Sequence, residues 1–222
     1  MARPFKLDMM DWSKPSKRES RLESIIEPYR KIFGRQSIPR TRQYWSMCGD
    51  CVRDGKPIPG HEIDQLTKSG LIKPSQFYGV EIEKSIYKCL IGMHGPHWFN
   101  GDFQSVMEEE AFHGRFNPSI IFFDNVHFAR IDPNTLPLIL DTLIQTKIKN
   151  VLVVANFILK SHRQSEVSPD SIFDSLVNSS LGQTCLRTGW FKFMPIGIKY
   201  NGTGNHTQTI MCSVMMYNKS KS

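Results

Sequence analysis

The sequence has no uninterrupted apolar run that approaches the roughly 20 residues needed to cross a bilayer. Its N-terminus also lacks the apolar segment of a secretory signal peptide. It contains no internal repeat or low-complexity region, and its hydrophobic content of 40% and charged content of 22% are typical of a globular domain. These absences argue against a membrane or exported protein, so we expect a cytoplasmic protein without membrane contact.

The cysteines give no sign of a disulfide framework or of a metal site. There are five, an odd number, and their spacings match no disulfide scaffold. Cys48 and Cys51 form a CxxC pair with His61 downstream, but a zinc site usually needs a second ligand pair at comparable spacing, and the sequence offers none. We therefore expect free thiols and no bound metal.

The positive charge is concentrated near the N-terminus. Residues 1–42 contain 11 Lys and Arg against 5 Asp and Glu, so they hold most of the formal net charge of +7. Tyr29, Phe33 and Tyr44 are interleaved with these charges and are of the kind that stacks on bases. We therefore expect residues 1–40 to form a basic, partly helical arm that binds nucleic acid along its phosphates. The alternative is a solvated leader with no ligand.

Apolar runs and helical patterns alternate along the rest of the chain. Strands are predicted at 43–47, 76–81, 97–100, 119–124 and 150–157. Helices are predicted at 61–69, 83–91, 104–112, 132–147 and 168–182. Two last strands, 191–200 and 207–217, have only the turn residues 201–205 between them, which predicts an antiparallel hairpin. Within the arm, residues 20–33 have a helical pattern that Pro28 is expected to kink or divide.

Two of the predicted strands end on a carboxylate. Glu81 ends one strand, and Asp102 lies 21 positions later, just past the end of the next, with a helix between them. The unit is βαβ, so both acids lie at the C-terminal edge of a parallel sheet, where such sheets bind nucleotides. Glu81 can accept hydrogen bonds from both ribose hydroxyls of an adenosine, and Asp102 can reach its amino group. The alternative is that both acids cap the helices that follow them.

This order of elements resembles that of the class I S-adenosylmethionine-dependent methyltransferases over roughly residues 41–218. The resemblance implies an α/β fold with three layers, Rossmann-like, in which a seven-stranded, mostly parallel sheet closes with a C-terminal antiparallel hairpin. It implies that residues 41–222 form one methyltransferase-like domain. It also implies S-adenosylmethionine as the cofactor.

The residues that carry the resemblance follow the predicted strands. Glu81 matches the family's ribose-binding acid, Gly101-Asp102-Phe103 matches its adenine-binding segment, and Asp124 matches a polar residue near the transferred methyl group. Tyr44, Trp45 and Gly49 would line the pocket if the first loop closes over the cofactor, so the predicted cofactor-binding residues are Tyr44, Trp45, Gly49, Glu81, Gly101, Asp102 and Phe103. Asn125 and His127 would orient a substrate, so the predicted catalytic residues are Asp124, Asn125 and His127. His127 is the candidate general base, because histidine titrates near neutral pH.

Two departures from the family pattern keep alternatives open. After the first strand Gly49 stands alone, where the family has a glycine-rich loop. After Asp124 there is no Pro-Pro-aromatic motif of the kind that methyltransferases of base amines carry, so we do not expect that reaction. The first hypothesis is a methyltransferase acting on nucleic acid. The alternatives are a methyltransferase-like binding or assembly module without cofactor, and a small-molecule methyltransferase.

Overall fold

A parallel sheet of five strands, with helices in its connections, organises the chain in a computed structural model. The described residues are 25–47, 52–53, 56–57, 62–93, 95–128, 142–143, 145–146, 148, 150–158, 196–201 and 208–216. The five strands are β1 (Gln43–Met47), β2 (Phe77–Glu81), β3 (His97–Asn100), β4 (Pro118–Phe128) and β5 (Val151–Ile158). The predicted α/β, Rossmann-like class is therefore confirmed.

The strand order creates a crevice at one edge of the sheet. The five strands lie in the order β3-β2-β1-β4-β5, and every neighbouring pair is parallel. The chain moves outward from β1 to β2 and β3, then crosses back to β4 on the other side of β1. Such a reversal leaves a crevice at the carboxyl ends of the two diverging strands, where open α/β sheets bind ligands. The functional site is therefore expected beyond the ends of β1 and β4.

Four helices are described in the connections. They are α1 (Glu27–Phe33), α2 (Glu62–Lys68), α3 (Lys84–Leu90) and α4 (Phe103–Phe112). The last three confirm predicted helices to within one residue at each end. The predicted helix at 132–147 is described only near its end, where the N–H of Thr146 donates to the carbonyl oxygen of Thr142 at 3.0 Å. The predicted helix at 168–182 lies outside the described residues.

Shorter strands complete the described backbone. Val52–Arg53 and Lys56–Pro57 pair as a two-residue antiparallel ladder apart from the main sheet, in a stretch predicted to be loop. Strands β6 (Ile196–Asn201) and β7 (Gln208–Met216) follow β5 and overlap the last two predicted strands. The turn residues 202–205 predicted between them lie outside the described residues.

Part of the N-terminal segment packs into the core of the sheet, while the predicted domain boundary at residue 40 stays a prediction. Ile25, Tyr29 and Ile38 are at most 3% exposed and belong to the same cluster as residues of β1, β2, β4 and β5. The N–H of Ile38 donates to the carbonyl oxygen of Leu71 at 2.9 Å. The described part of the predicted arm therefore packs against the sheet, and Tyr29 is too buried to stack on a base.

Pro28 lies in the first turn of α1, directly after a π-helical turn at Ile25 and Ile26. Residues 20–24 lie outside the described residues, so the prediction that Pro28 kinks or divides the segment 20–33 stays a prediction. The helix starts at Glu27, which places Pro28 in the first turn. A proline there forfeits no hydrogen bond, because the first N–H groups of a helix have no acceptor within it. The helix ends at Gly34, whose φ of +62° is left-handed and is adopted by glycine without strain.

Candidate functional site

Glu81 and Asp102 lie at the tips of neighbouring parallel strands. Glu81 is opposite Asn100 in the pairing of β2 with β3, and Asp102 follows two residues later. The Nδ2 of Asn100 donates to the carbonyl oxygen of Glu81 at 2.8 Å, and the N–H of Gly101 donates to the same oxygen at 3.1 Å. The two strand ends are therefore tied together. The prediction that both acids follow adjacent strands at one edge of the sheet is confirmed.

The Glu81 carboxylate is buried, with 6% of the residue exposed, and it holds the start of the next connection. Its Oε1 accepts a hydrogen bond from the N–H of Glu83 at 2.6 Å, one residue before α3 begins. The contact is compatible with both predicted roles, binding a ligand and capping the following helix.

Asp102 caps helix α4. Its Oδ1 accepts a hydrogen bond from the N–H of Ser105 at 2.9 Å, and the residue is exposed. Hydrogen bonds from the side chain and the N–H of Ser105 lower the pKa of Asp102, and they outweigh the opposing effect of burial. The carboxylate is therefore ionised at neutral pH, which suits it to accept a hydrogen bond from a ligand amine.

The residues on either side of Asp102 pack against α4 and the sheet. A Cβ added to Gly101 would lie 3.0 Å from Cγ2 of Val106, so a larger residue would have to displace that side chain. Phe103 is 5% exposed, and its ring meets that of Phe123 edge-on with centroids 5.8 Å apart. Phe103 is a core residue, and the cofactor contacts of Gly101 and Phe103 stay predictions.

Tyr44 and Trp45, predicted to line the cofactor pocket, are core residues, and both are 0% exposed. The ring of Tyr44 stacks on that of Phe77 with centroids 5.5 Å apart, and Nε1 of Trp45 donates to Oε1 of Gln43 at 2.9 Å. Solvent reaches neither side chain, so neither lines an open pocket, and Tyr44 is unable to stack on a base. Gly49, predicted at the same place, lies outside the described residues.

A buried carboxylate that the sequence did not single out lies beside β1. Glu62, the first residue of α2, is 0% exposed. It accepts hydrogen bonds from the hydroxyl of Tyr44 and from Oγ of Ser46, the latter at 3.0 Å. Because both donors belong to β1, Glu62 fastens the start of α2 to the central strand. In the sequence, the pair Tyr44 and Ser46 indicates that such a partner is needed. Residues two apart in a strand share a face, and buried hydroxyls need hydrogen-bond partners.

The backbone of β4 is irregular at the predicted catalytic residues. Asp124 pairs with Asn156 of β5, and pairing resumes with Phe128 opposite Ile158. Four residue steps in β4 therefore match two in β5, so β4 bulges at residues 125–127. Bulges are frequent beside active sites, where they re-aim side chains. The predicted strand end at Asp124 is wrong, because β4 continues to Phe128.

Ile82 adds exposed apolar surface at the same edge. It follows Glu81 directly and is 72% exposed. Binding sites for ring-shaped ligands combine apolar surface with a few polar groups, and Ile82 beside two acids supplies that combination. In the sequence, this apolar surface is indicated by a large apolar residue between the two acids Glu81 and Glu83.

The described ranges contain neither a metal cluster nor a membrane span. No group of three or more His, Cys, Asp and Glu among the described residues could hold a metal ion. The CxxC cysteines and His61 lie outside those residues, so the prediction about metal stays a prediction. No helix in the described part of the chain is long and apolar enough to cross a membrane.

Comparison with known proteins shows the fold. No protein-family model matches the sequence, and neither does any curated protein. TYW2 of P. horikoshii in complex with MeSAdo matches with a TM-score of 0.51 and 8% identity, over 93% of this chain and 64% of that one. The N-methyltransferase NodS from Bradyrhizobium japonicum WM9 with S-adenosyl-l-homocysteine gives 0.49 and 9%, over 97% and 93%. A SAM-dependent methyltransferase from Anabaena variabilis gives 0.48 and 13%, over 89% and 86%.

These likenesses concern the Rossmann-like fold alone, since every identity is far below 25%. Of the three, TYW2 exceeds a TM-score of 0.5, and this chain spans just under two thirds of its length. The match to TYW2 covers 93% of the present chain, which is more than the stretch of residues 41–218 over which the resemblance was predicted.

Proposed function

We propose that this chain binds S-adenosylmethionine at the carboxyl edge of its sheet and acts as a methyltransferase. One observation carries the proposal: Glu81 and Asp102 lie at neighbouring strand tips on the side of the crevice formed by β2 and β3. The likeness in fold to TYW2, which was solved with MeSAdo, supports the same ligand class.

The residues at this edge fit an adenosine group. The buried Glu81 carboxylate would accept hydrogen bonds from the ribose hydroxyls. The ionised Asp102 would accept a hydrogen bond from the adenine amino group. The exposed side chain of Ile82 would cover one face of the adenine ring. Three chemically different parts of the ligand thus have a partner within one stretch of sheet edge.

The bound cofactor would supply a methyl group on a sulfonium centre, with a neutral thioether as leaving group. The task left to the protein is to hold the acceptor in line with that group. We assign this task to the bulged end of β4, with Asp124 and Asn125 orienting the acceptor. His127 would remove a proton from an acceptor that has to lose one.

We also propose that the complete sheet has seven strands and ends in an antiparallel hairpin. The support is the backbone pairing, in which β7 runs antiparallel both to β5 and to β6. In this arrangement β7 would lie between its two partners, and the last strand in the sequence would lie inside the sheet.

We propose nucleic acid as the methyl acceptor. The support is the basic excess of residues 1–42, which suits contacts with phosphates. Because Tyr29 and Tyr44 are buried, these contacts would come from the charged side chains, without stacking by those two rings.

A module that has lost its cofactor is the second candidate. The observation that favours it is that both acids already bind their own chain, Glu81 at the N–H of Glu83 and Asp102 at the N–H of Ser105. Such bonds are what a helix-capping role alone requires. The isolated Gly49 in the segment after β1 points the same way.

Calorimetric titration with S-adenosylhomocysteine separates the two candidates. The full chain is expected to bind it, and Glu81→Gln is expected to weaken binding by about tenfold or more, because an amide replaces one ribose acceptor with a donor. The amide oxygen of the variant can still accept from Glu83, so the fold should be retained. Glu109→Gln, which neutralises an exposed acid of α4, is the matched control and should bind as the parent does.

Equal affinity in the parent and in Glu81→Gln would remove Glu81 from the site. If the parent protein does not bind S-adenosylhomocysteine but does bind nucleic acid, the second candidate, a module without cofactor, is supported. Unfolding temperatures of all three proteins show whether any loss of affinity reflects a loss of fold.

A further inference from the structure

The whole formal charge of the protein resides in two short segments. Residues 28–42 contain five Lys or Arg and no acid, and residues 66–80 contain two more and no acid. These seven positive charges equal the net charge of +7 of the entire chain, so the charges of all residues outside the two segments sum to zero. The segments are far apart in sequence, and the sequence by itself gives no reason to join them.

The fold joins them along a line of hydrogen bonds. Nη2 of Arg30 donates to the carbonyl oxygen of Ser69 at 2.5 Å, and the N–H of Ile38 donates to that of Leu71 at 2.9 Å. Further on, Nε2 of Gln76 donates to the carbonyl oxygen of Pro39 at 2.7 Å and to that of Arg42 at 3.0 Å. The two segments therefore lie side by side until they enter β1 and β2.

This paired segment lies at the amino edge of the sheet, because it leads into the first residues of β1 and β2. Five of its basic residues are exposed, and we call them the basic edge: Lys31, Arg35, Arg40, Lys68 and Lys73. Glu81 ends β2 at the opposite edge, one five-residue strand away, or roughly 15 Å. The basic edge is thus separate from the proposed cofactor site.

The other two basic residues hold the scaffold under the basic edge. Arg30 binds Ser69 as described, and Nη1 of Arg42 donates to Oδ1 of Asn117 at 2.9 Å. Burial lowers the pKa of Arg42, proximity to Tyr29 raises it, and the nearby charge of Arg35 lowers it. Arg35 and Arg42 are thus close enough for their positive charges to oppose each other.

A neighbouring arginine shows a different arrangement. Arg115 also precedes a strand of the sheet, but its guanidinium forms a salt bridge with Glu110 at 2.5 Å. The acid lies only five residues away in sequence. The two segments that form the basic edge contain no acid, although Glu27 and Asp64, just before them, lie four residues before Lys31 and Lys68 on α1 and α2.

We infer that the basic edge is a docking surface for the phosphate backbone of a nucleic acid. Regularly spaced phosphates match several separate cations at once, and each contact releases a counterion. A membrane surface fits less well, because membrane-binding segments combine basic residues with exposed apolar ones. The large apolar residues exposed in the described part of the chain are Ile82, Ile91 and Phe112, and none belongs to either segment.

The inference deepens the proposed function by naming the surface that holds the substrate, and it holds equally for a module without cofactor. Nucleic acid bound at the amino edge is held away from Glu81, so binding there should be independent of the cofactor. A long substrate would have to pass around the domain to reach the carboxyl edge. The basic edge therefore contributes affinity for the backbone and leaves the choice of target atom to the other edge.

Fluorescence anisotropy on the full chain tests the surface. The probes are a labelled DNA duplex of about 20 base pairs and a labelled RNA of about 20 nucleotides, titrated over a range of KCl concentrations. The variant Arg40→Gln/Lys73→Gln removes one cation from each segment. The control Lys84→Gln/Lys88→Gln removes two exposed cations of α3 and gives the same net charge. All four side chains are exposed, so both variants should keep the unfolding temperature of the parent.

The expected result is binding of at least one probe by the parent. The basic-edge variant should bind about tenfold or more weakly, and the slope of log K against log[KCl] should fall in magnitude by about 2. The control should change affinity by less than about threefold. Equal effects of the two variants, or binding of phosphatidylserine vesicles without binding of either probe, would overturn the inference. Titration of the same proteins with S-adenosylhomocysteine reports separately on the cofactor proposal.

Discussion

Asn100 reaches across from β3 and donates its side-chain amide to the carbonyl oxygen of Glu81 at 2.8 Å. Glu81 lies directly opposite Asn100 in the parallel pairing, at the point where both strands end. The N–H of Gly101, the next residue, donates to the same oxygen at 3.1 Å, so the side chain of Asn100 is the second donor at this point. The side chain of Asn100 therefore fixes the peptide on which the candidate ribose-binding acid is carried.

Asn100→Ala should loosen this tip. A hydrogen bond of this kind contributes about 1 kcal/mol to the free energy of unfolding, and urea denaturation should show a loss of that size. Affinity for S-adenosylhomocysteine should fall as well, because Glu81 would no longer be held in place. Gln104→Ala is the control, since it removes another amide, on α4, whose partner is Glu108. If Asn100→Ala keeps both its stability and its affinity for S-adenosylhomocysteine, the end of β2 does not depend on this hydrogen bond.

Glu62 should be among the most sensitive positions for stability. Its carboxylate is fully buried and accepts from Tyr44 and Ser46. Glu62→Ala takes a partner from two buried hydroxyls and leaves a cavity, so the free energy of unfolding should fall by about 2–4 kcal/mol. Glu62→Gln keeps an acceptor oxygen and should cost less.

A double-mutant cycle of Glu62→Ala with Ser46→Ala measures the coupling between these residues. The two changes should be non-additive, because each one removes the same hydrogen bond. Additive losses would mean that the two side chains stabilise the protein independently of each other.

Asp102 should make stability depend on pH in one direction. Hydrogen bonds from Ser105 lower its pKa in the folded protein. Because the pKa of Asp102 is lower in the folded protein than in the unfolded one, the contribution of Asp102 to stability is fully present above the ordinary carboxyl pKa of 3.8. That contribution is lost as the pH falls through the pKa of the folded protein. Asp102→Ala should therefore cost about 1 kcal/mol at pH 7, the usual value of a helix cap, and progressively less below about pH 4.

Asp102→Asn is the matched control for this titration, because asparagine caps helices about as well but carries no charge. It should retain most of the stability at pH 7 and lose the pH dependence. Urea unfolding at a series of pH values measures all three proteins. A constant difference between Asp102 and Asp102→Ala across this range would contradict the assigned pKa direction.

The strands and their terminal acids were predictable because the pattern that defines them is local. A short apolar run that stops on an acid, such as the one ending at Glu81, predicts both the strand and the residue at which it ends. The partner of Tyr44 was not predictable, because Glu62 is 18 residues away and becomes its neighbour only when α2 packs on β1. The same limit applies to Ile25 and Ile38, whose burial depends on contacts with the sheet.

Ile82 should affect ligand binding without affecting stability. Its side chain is 72% exposed, so Ile82→Ser removes little packing and should leave the unfolding temperature unchanged. If it covers the adenine ring, the loss of apolar contact should weaken S-adenosylhomocysteine binding by about tenfold, close to 1.4 kcal/mol. Ile91→Ser, which changes an exposed isoleucine at the far end of α3, should bind normally. Identical affinities in both variants would place the adenine elsewhere.

Truncation at residue 40 should abolish folding, whereas truncation at residue 24 should not. The first cut removes Ile25, Ile26, Tyr29 and Ile38 from the core cluster. Each large apolar side chain contributes about 1.5–3 kcal/mol when buried, so the loss is on the order of 10 kcal/mol, comparable to the whole stability of a typical domain. The second cut leaves every one of these contacts in place. Thermal unfolding of the two truncated proteins measures the difference, and a cooperative transition in the chain that starts at residue 41 would restore the arm as a separate unit.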